Sequence, residues 1–173
     1  MPRRRTRLAA DPIAEATRLW RDHGWIDAAD GMAAITSLMR AQQIVLARVD
    51  AALKPFGVTF ARYEVLMLLH FSRSPALPMS VIGDRLQVHP TSVTNAVDRL
   101  QESALVSRET SPQDRRTTLI ALTDLGRDVA SRATERLNAE VFSSPGMSSS
   151  DARRLVTVLT QLRSDAGDFD PGR

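Results

Sequence analysis

The sequence predicts a mainly α-helical fold with one small β-hairpin: a helix-turn-helix followed by a wing, flanked by amphipathic helices on both sides. Three observations carry this. Within residues 80–123, two short segments with apolar stripes are joined by a tight connector. Two β-rich runs follow, separated by a turn that ends on two arginines. On either side of this block, apolar side chains recur at intervals of three and four over long stretches, the pattern of helices that bury one face.

Residues 1–10 form a basic arm. Arg3, Arg4, Arg5 and Arg7 contribute +4 of a formal net charge of +3, so residues 11–173 sum to −1. The arm reads either as extra phosphate contact or as a solubilising tail. Asp11-Pro12 then opens a short helix to about His23, with Asp11 as N-cap, Pro12 at the first helical position and Gly24 as the stop. Asp30 to about Leu53 is a long amphipathic helix built on Met32, Ile35, Leu38, Met39, Val45, Leu46 and Val49. Lys54-Pro55-Phe56-Gly57 ends it. Thr59–Phe71 is a helix dense in core residues (Tyr63, Val65, Leu66, Leu68, Leu69), and Ser72–Pro78, with two prolines, reads as a loop.

The helix-turn-helix begins after Ser80. Val81, Ile82 and Leu86 give its first helix an apolar face, and Gln87-Val88-His89 is the connector. Pro90 starts the second helix, where a missing N–H leaves nothing unsatisfied. Val93, Val97 and Leu100 fall at i, i+4 and i+7 and face the core. The opposite side carries Thr91, Ser92, Thr94, Asn95 and Asp98. Short donors and acceptors without long aliphatic cover suit a surface that another body approaches closely, although Ser and Thr also occur on ordinary exposed helices. Leu105–Thr110 and Thr117–Leu122 are the hairpin strands. Between them Ser111-Pro112-Gln113-Asp114-Arg115-Arg116 is a turn whose arginines can enter a narrow minor groove. The competing reading has Asp114 pairing with Arg115 or Arg116 to stiffen the tip.

Thr123 caps a helix that runs from Asp124 to about Val141 on Leu125, Val129, Ala133, Leu137 and Val141. Ser143-Ser144-Pro145-Gly146 breaks it. Ser148 with Asp151 resembles a capping box at the start of a last helix bearing Leu155, Val158, Leu159 and Leu162. These terminal helices carry more apolar surface than a small helix-turn-helix core can cover, which points to a homodimer. The domain reading is therefore a flexible arm over 1–10, dimerisation helices over 11–57, a winged helix-turn-helix over 58–122 and further dimerisation helices over 123–173.

Bulk charge does not announce nucleic-acid binding. Residues 80–123 balance Arg85, Arg99, Arg108, Arg115 and Arg116 against Asp84, Asp98, Glu102, Glu109 and Asp114, so placement must do it. Cysteine is absent, which removes disulfides, thiolate redox sensing and Cys-based metal sites. No apolar run approaches the ~20 residues of a membrane span, and Met1–Arg5 lacks the apolar segment of a secretory signal; a cytoplasmic protein is expected. His23, His70 and His89 lie apart, without a Gly-rich phosphate loop, H-x-x-x-H or paired-carboxylate motif, so neither an enzyme nor a cofactor is expected. His89, at the entrance of the second helix, reads as a phosphate or base-edge contact rather than a metal ligand. A protein-binding winged helix is the other alternative.

The order Ser92-Val93-Thr94-x-x-Val97-Asp98-Arg99-Leu100, then Leu105-Val106-x-Arg108, Asp114-Arg115-Arg116-Thr117-Thr118 and Leu122-Thr123-x-x-Gly126 resembles the MarR family of winged-helix transcriptional regulators. One departure is Ala104, where the family commonly has Gly. The resemblance implies dimerisation through terminal helices and two winged helices reading a pseudo-palindrome of double-stranded DNA, commonly as a repressor released by a small effector. On that reading His89, Pro90, Thr91, Ser92, Thr94, Asn95, Arg115 and Arg116 form the DNA-binding set, with Asn95 suited to bidentate pairing with adenine. Some family members with a Trp-bearing N-terminal helix respond to urate or similar anions. Trp20 resembles that feature, so a pocket of Trp20, Glu64 and Arg99 for a small anionic or aromatic effector is a further expectation. The alternatives for these residues are dimer packing for Trp20 and an acid partner for Arg99.

Overall fold

The computed structural model describes residues 8–86, 90–170 and 172. The chain divides into two compact units, with the boundary between Arg48 and Val49.

In the first unit, α1 (Pro12–Asp22) starts where expected: Asp11 accepts a hydrogen bond from the Ile13 amide at 3.0 Å, and Pro12 sits in the first turn. It ends on Gly24 at φ 84°, which lets the Trp25 amide reach back to the Trp20 carbonyl. Helix α2 (Ile26–Leu53) begins four residues before the expected Asp30. Ile26, Ile35 and Met39 are all at least half exposed.

In the second unit, α2 closes in a 3-10 turn over Lys54–Phe56, and Gly57 at φ 69° reverses the chain. Helix α3 (Phe60–Phe71) has Thr59 at its N-cap position, but the Phe60 amide is held by Asp50 Oδ1 at 3.2 Å instead. Tyr63, Val65, Leu66 and Leu69 are buried as expected, and Leu68 packs at the core margin. The segment read as a loop contains a short strand, β1 (Ala76–Pro78), followed by α4 (Met79–Leu86). Helix α5 (Pro90–Glu102) leads to β2 (Val106–Thr110) and β3 (Thr118–Leu122). The sheet is antiparallel in the order β1-β3-β2, with Leu77 opposite Ile120 and Arg108 also opposite Ile120 from the other side. Leu53, Leu66, Ile82, Val97 and Ile120 are fully buried, so α2, α3, α4, α5 and the central strand share one core.

Helix α6 (Asp124–Leu137) is capped by Thr123, whose Oγ1 accepts from the Gly126 amide at 2.9 Å. Val129, Ala133 and Leu137 are buried, but Leu125 is 52% exposed and leaves the expected stripe. The helix ends in a π turn over Asn138–Phe142, which keeps Val141 buried. Helix α7 (Ser149–Asp165) has the expected cap: Ser148 accepts from the Asp151 amide at 3.1 Å and donates to the Asp151 carboxylate at 2.6 Å. None of its residues is buried, and Leu155, Val156, Val158 and Leu162 are all exposed.

Two backbone positions define the junction between α5 and the hairpin. The Ala104 and Leu105 amides donate to the Gln101 and Leu100 carbonyls, which forms a Schellman turn with Ala104 at φ 56°. Alanine thus occupies the left-handed position where glycine is unstrained. A Cβ on Gly126 would overlap the Leu105 carbonyl, so only glycine admits this approach of α6. Ala104→Gly is expected to raise unfolding free energy by about 0.5–1 kcal/mol, the left-handed strain less glycine's entropy. Gly126→Ala is expected to lower it by about 1–3 kcal/mol or more. Urea denaturation at one fixed protein concentration checks both, and a neutral Gly126→Ala would contradict the packing described.

Candidate nucleic-acid interface and adjoining cavity

Helix α5 is amphipathic in the sense the sequence predicts. Val93, Val97 and Leu100 are at most 2% exposed, whereas Thr91, Ser92, Thr94 and Asn95 face outward. Pro90 begins the helix, and His89 lies outside the described residues. Thr91, Ser92, Asn95 and Ala96 form one wall of an open groove of about 330 Å³, with Thr59, Ala61 and Arg62 from the start of α3 on the other. Arg62 was not singled out from the sequence. It sits in the first turn of a core helix and lies about thirty positions from α5, so only the packing of α3 on α5 brings it beside Asn95.

The hairpin is fastened to α5 by charge. Arg108 on β2 lies 2.6 Å from Asp98 on α5, with the Arg108 side chain 27% exposed. The contact is close but off the hydrogen-bond line: Nε and Nη2 are buried and lack an aligned acceptor among the described residues. The pair therefore acts as an electrostatic strut between helix and wing, and removing either member would leave the other's charge half-desolvated. Arg99, one position on, points elsewhere and pairs with Glu102 at 2.8 Å.

At the tip, the Arg116 amide and the Thr117 hydroxyl both donate to the Asp114 carboxylate, each at 2.9 Å. The Thr117 amide closes the turn on the Asp114 carbonyl, and Ser111 pairs with Thr117. Asp114 thus stiffens the tip through backbone and hydroxyl rather than through the arginine side chains. Neither Arg115 nor Arg116 has an ion pair among the described residues, and both are exposed.

Of the three residues expected to share an effector pocket, Glu64 and Arg99 do not line one cavity. Trp20 belongs to the first unit, where its ring meets Trp25 edge-on at 5.0 Å and Trp25 stacks on His23. Glu64 lines an open cavity of about 410 Å³ in the second unit with Phe60, Tyr63, Met67, Phe71 and Phe142. Arg99 is not among the residues that line it, and its pairing with Glu102 is the alternative foreseen for it. Burial pushes the Glu64 carboxyl above its ordinary value. No group of three or more metal-ligating side chains gathers among the described residues, and no described helix is long and apolar enough to cross a membrane.

A helix with a short-chain polar face, a hairpin wing strutted to it and two exposed tip arginines define a winged-helix DNA-binding protein. Comparison with known proteins gives the family. The MarR family model matches residues 56–117. The chain is similar to Sco5413, a MarR family transcriptional regulator from Streptomyces coelicolor, with 53% identity, a TM-score of 0.75, and 82% of this chain and 98% of that one covered. It is 33% identical to YhbI of Bacillus subtilis, an uncharacterised HTH-type transcriptional regulator, over 65% of this chain and 75% of that protein. It also resembles the transcriptional repressor CouR bound to a 23-mer DNA duplex, at 26% identity and a TM-score of 0.67 over 73% of this chain and 89% of that one. CouR from Rhodococcus jostii RHA1 has also been solved bound to p-coumaroyl-CoA. The chain belongs to the MarR family of DNA-binding transcriptional regulators.

The wing tip carries a pH signature. The Arg116 amide and Thr117 hydroxyl hold the Asp114 carboxyl below its ordinary value of 3.8. A lowered carboxylate pKa contributes order that is complete above the ordinary value and lost as pH falls through the lowered one. The Arg116 amide resonance is expected to titrate with a midpoint below 3.8 and to lose that titration in Asp114→Ala. A midpoint at or above the ordinary value would show that the tip is not held this way.

Proposed function

We propose that this chain acts as a homodimeric, sequence-specific regulator that binds a pseudo-palindromic operator as a repressor and releases it when a small molecule occupies the Glu64 cavity. The observation that carries this reading is one outward surface in the second unit. It joins the Thr91, Ser92, Thr94 and Asn95 face of α5 to the Arg62 groove, and the wing strutted to α5 through Asp98 and Arg108 ends in the exposed Arg115 and Arg116. In this reading Asn95 reads a base edge, Thr91, Ser92 and Thr94 meet methyls or phosphates, and His89 and Pro90 complete the contact set expected from the sequence. Arg62 neutralises a phosphate flanking the major groove, and Arg115 and Arg116 serve the minor groove.

The exposed apolar faces of α2 and α7 support dimerisation through the terminal helices, since such patches on a lone chain would be a liability. A two-fold protein reads half-sites about 10 bp or a multiple apart. That CouR is known both with a DNA duplex and with p-coumaroyl-CoA supports a ligand-responsive mechanism here. The effector would shift the population of dimers whose reading helices are spaced for the operator. The protein then acts by binding, without catalysis, in the cytoplasm where its DNA lies.

Fluorescence anisotropy on duplex from the gene's own upstream region, at several salt concentrations, tests this. Each lost phosphate contact should reduce the slope of log K against log salt by about 0.9, so Arg62→Ala is expected to lose about that much and the Arg115/Arg116 double-Ala variant about twice as much. Asn95→Ala is expected to leave the slope unchanged and to relax discrimination at one base pair by about 1–3 kcal/mol. Binding that is weak and insensitive to salt would instead favour a protein-binding winged helix.

A further inference from the structure

The cavity that Glu64 lines has an unusual balance of chemistry. Its wall is mostly apolar: the rings of Phe60, Tyr63, Phe71 and Phe142, with Met67 and Leu68 between them. Glu64 is the only charged residue among its described lining, and the polar atoms beside it are hydroxyls. The Tyr63 hydroxyl is already engaged with Thr134 Oγ1 at 2.9 Å, and Thr134 in turn donates to the Ala130 carbonyl at 2.8 Å. Neither hydroxyl hydrogen-bonds the carboxylate. Glu64 itself has no hydrogen bond or ion pair among the described residues, although it is half-buried.

A half-desolvated carboxylate without a partner is costly, and the cost is relieved by a cation that brings its own donors. A ligand carboxylate placed in the same cavity would meet a like charge across a low-dielectric wall. The volume of about 410 Å³ falls within the range of small-molecule sites. Aromatic rings and a methionine add affinity for flat or cationic groups.

We infer that the Glu64 cavity takes an aromatic or otherwise apolar amine, with the ligand's ammonium on the Glu64 carboxylate and its hydrocarbon body against Phe60, Phe71 and Phe142. This reverses the anionic preference expected from the resemblance of Trp20 and leaves the aromatic part standing. It rests on the effector-responsive reading proposed above only for its regulatory consequence, because the binding preference belongs to the cavity alone.

The test uses the full chain and a matched pair of probes, 1-naphthylmethylamine and 1-naphthoic acid, which share a ring system and differ in charge. Isothermal titration calorimetry near neutral pH is expected to show the amine binding at least about tenfold more tightly than the acid, a difference of ~1.4 kcal/mol. Glu64→Gln, nearly isosteric, is expected to bring the two within about threefold, ~0.65 kcal/mol on the same scale. An acid that binds as well as the amine overturns the inference, as does failure of both to bind. A preference that persists unchanged in Glu64→Gln also overturns it, since another group would then set the charge. Should Glu64→Gln fail to fold, the comparison of the two probes on the wild type decides alone. Adding the same probes to a preformed duplex complex separates this inference from the regulatory reading. An amine that binds as expected but leaves DNA affinity unchanged keeps the cavity's preference and removes its role as the effector site.

Discussion

The carbonyl of Leu105 is the point on which the DNA-reading part of this protein turns. It accepts the Thr123 amide at 3.2 Å, directly after the Schellman turn that ends α5, while the Thr123 hydroxyl lies 3.1 Å from it and donates to the neighbouring Ala104 carbonyl at 2.8 Å. The same hydroxyl caps α6 through the Gly126 amide. One oxygen therefore joins the end of the reading helix, the base of the wing and the first turn of the next helix. The joint works only because residue 126 lacks a Cβ. Three elements that are separate in sequence are held at one backbone atom, and the aim of α5 relative to the hairpin is set there.

Charge is arranged around this joint by consumption. Three of the five acids of the helix-turn-helix and wing are spent on internal tasks: Asp98 on Arg108, Glu102 on Arg99, and Asp114 on the wing backbone. Arg62, Arg115 and Arg116 are left without ion pairs among the described residues. A segment whose formal charges cancel can thus present positive charge outward, because burial and pairing decide which charges an approaching polyanion meets. Net charge alone would have concealed this.

What could be read from the sequence follows the range of the interactions involved. Caps are local, so Asp11 before Pro12, Thr123 before Asp124 and Ser148 before Asp151 all stand where residue type placed them. The Val93, Val97 and Leu100 stripe was equally legible, because a core face repeats within one helix. Strand β1 was not, since its Ala76 and Pro78 have poor strand character and its order comes from pairing with β3 more than forty residues away. The exposed Leu125 was misplaced because the first turn of α6 is oriented by the Thr123 junction rather than by its apolar period. Arg62 was invisible for a similar reason: nothing within its own helix distinguishes it from a solvated surface arginine. The Trp20, Glu64 and Arg99 grouping came from resemblance rather than from packing, and Arg99 found its acid partner three residues away.

The strut between Asp98 and Arg108 has a consequence for how such a protein can change over time. Ser92 and Asn95, outward on α5, can be exchanged one at a time at little cost to the fold, because neither makes a hydrogen bond or ion pair among the described residues. The strut residues cannot, because losing one strands a half-desolvated charge and unties helix from hairpin together. An exchangeable outer face and mechanical integrity are thereby assigned to different positions of the same helix. Substitution on the outer face is therefore tolerated where substitution of the strut is not.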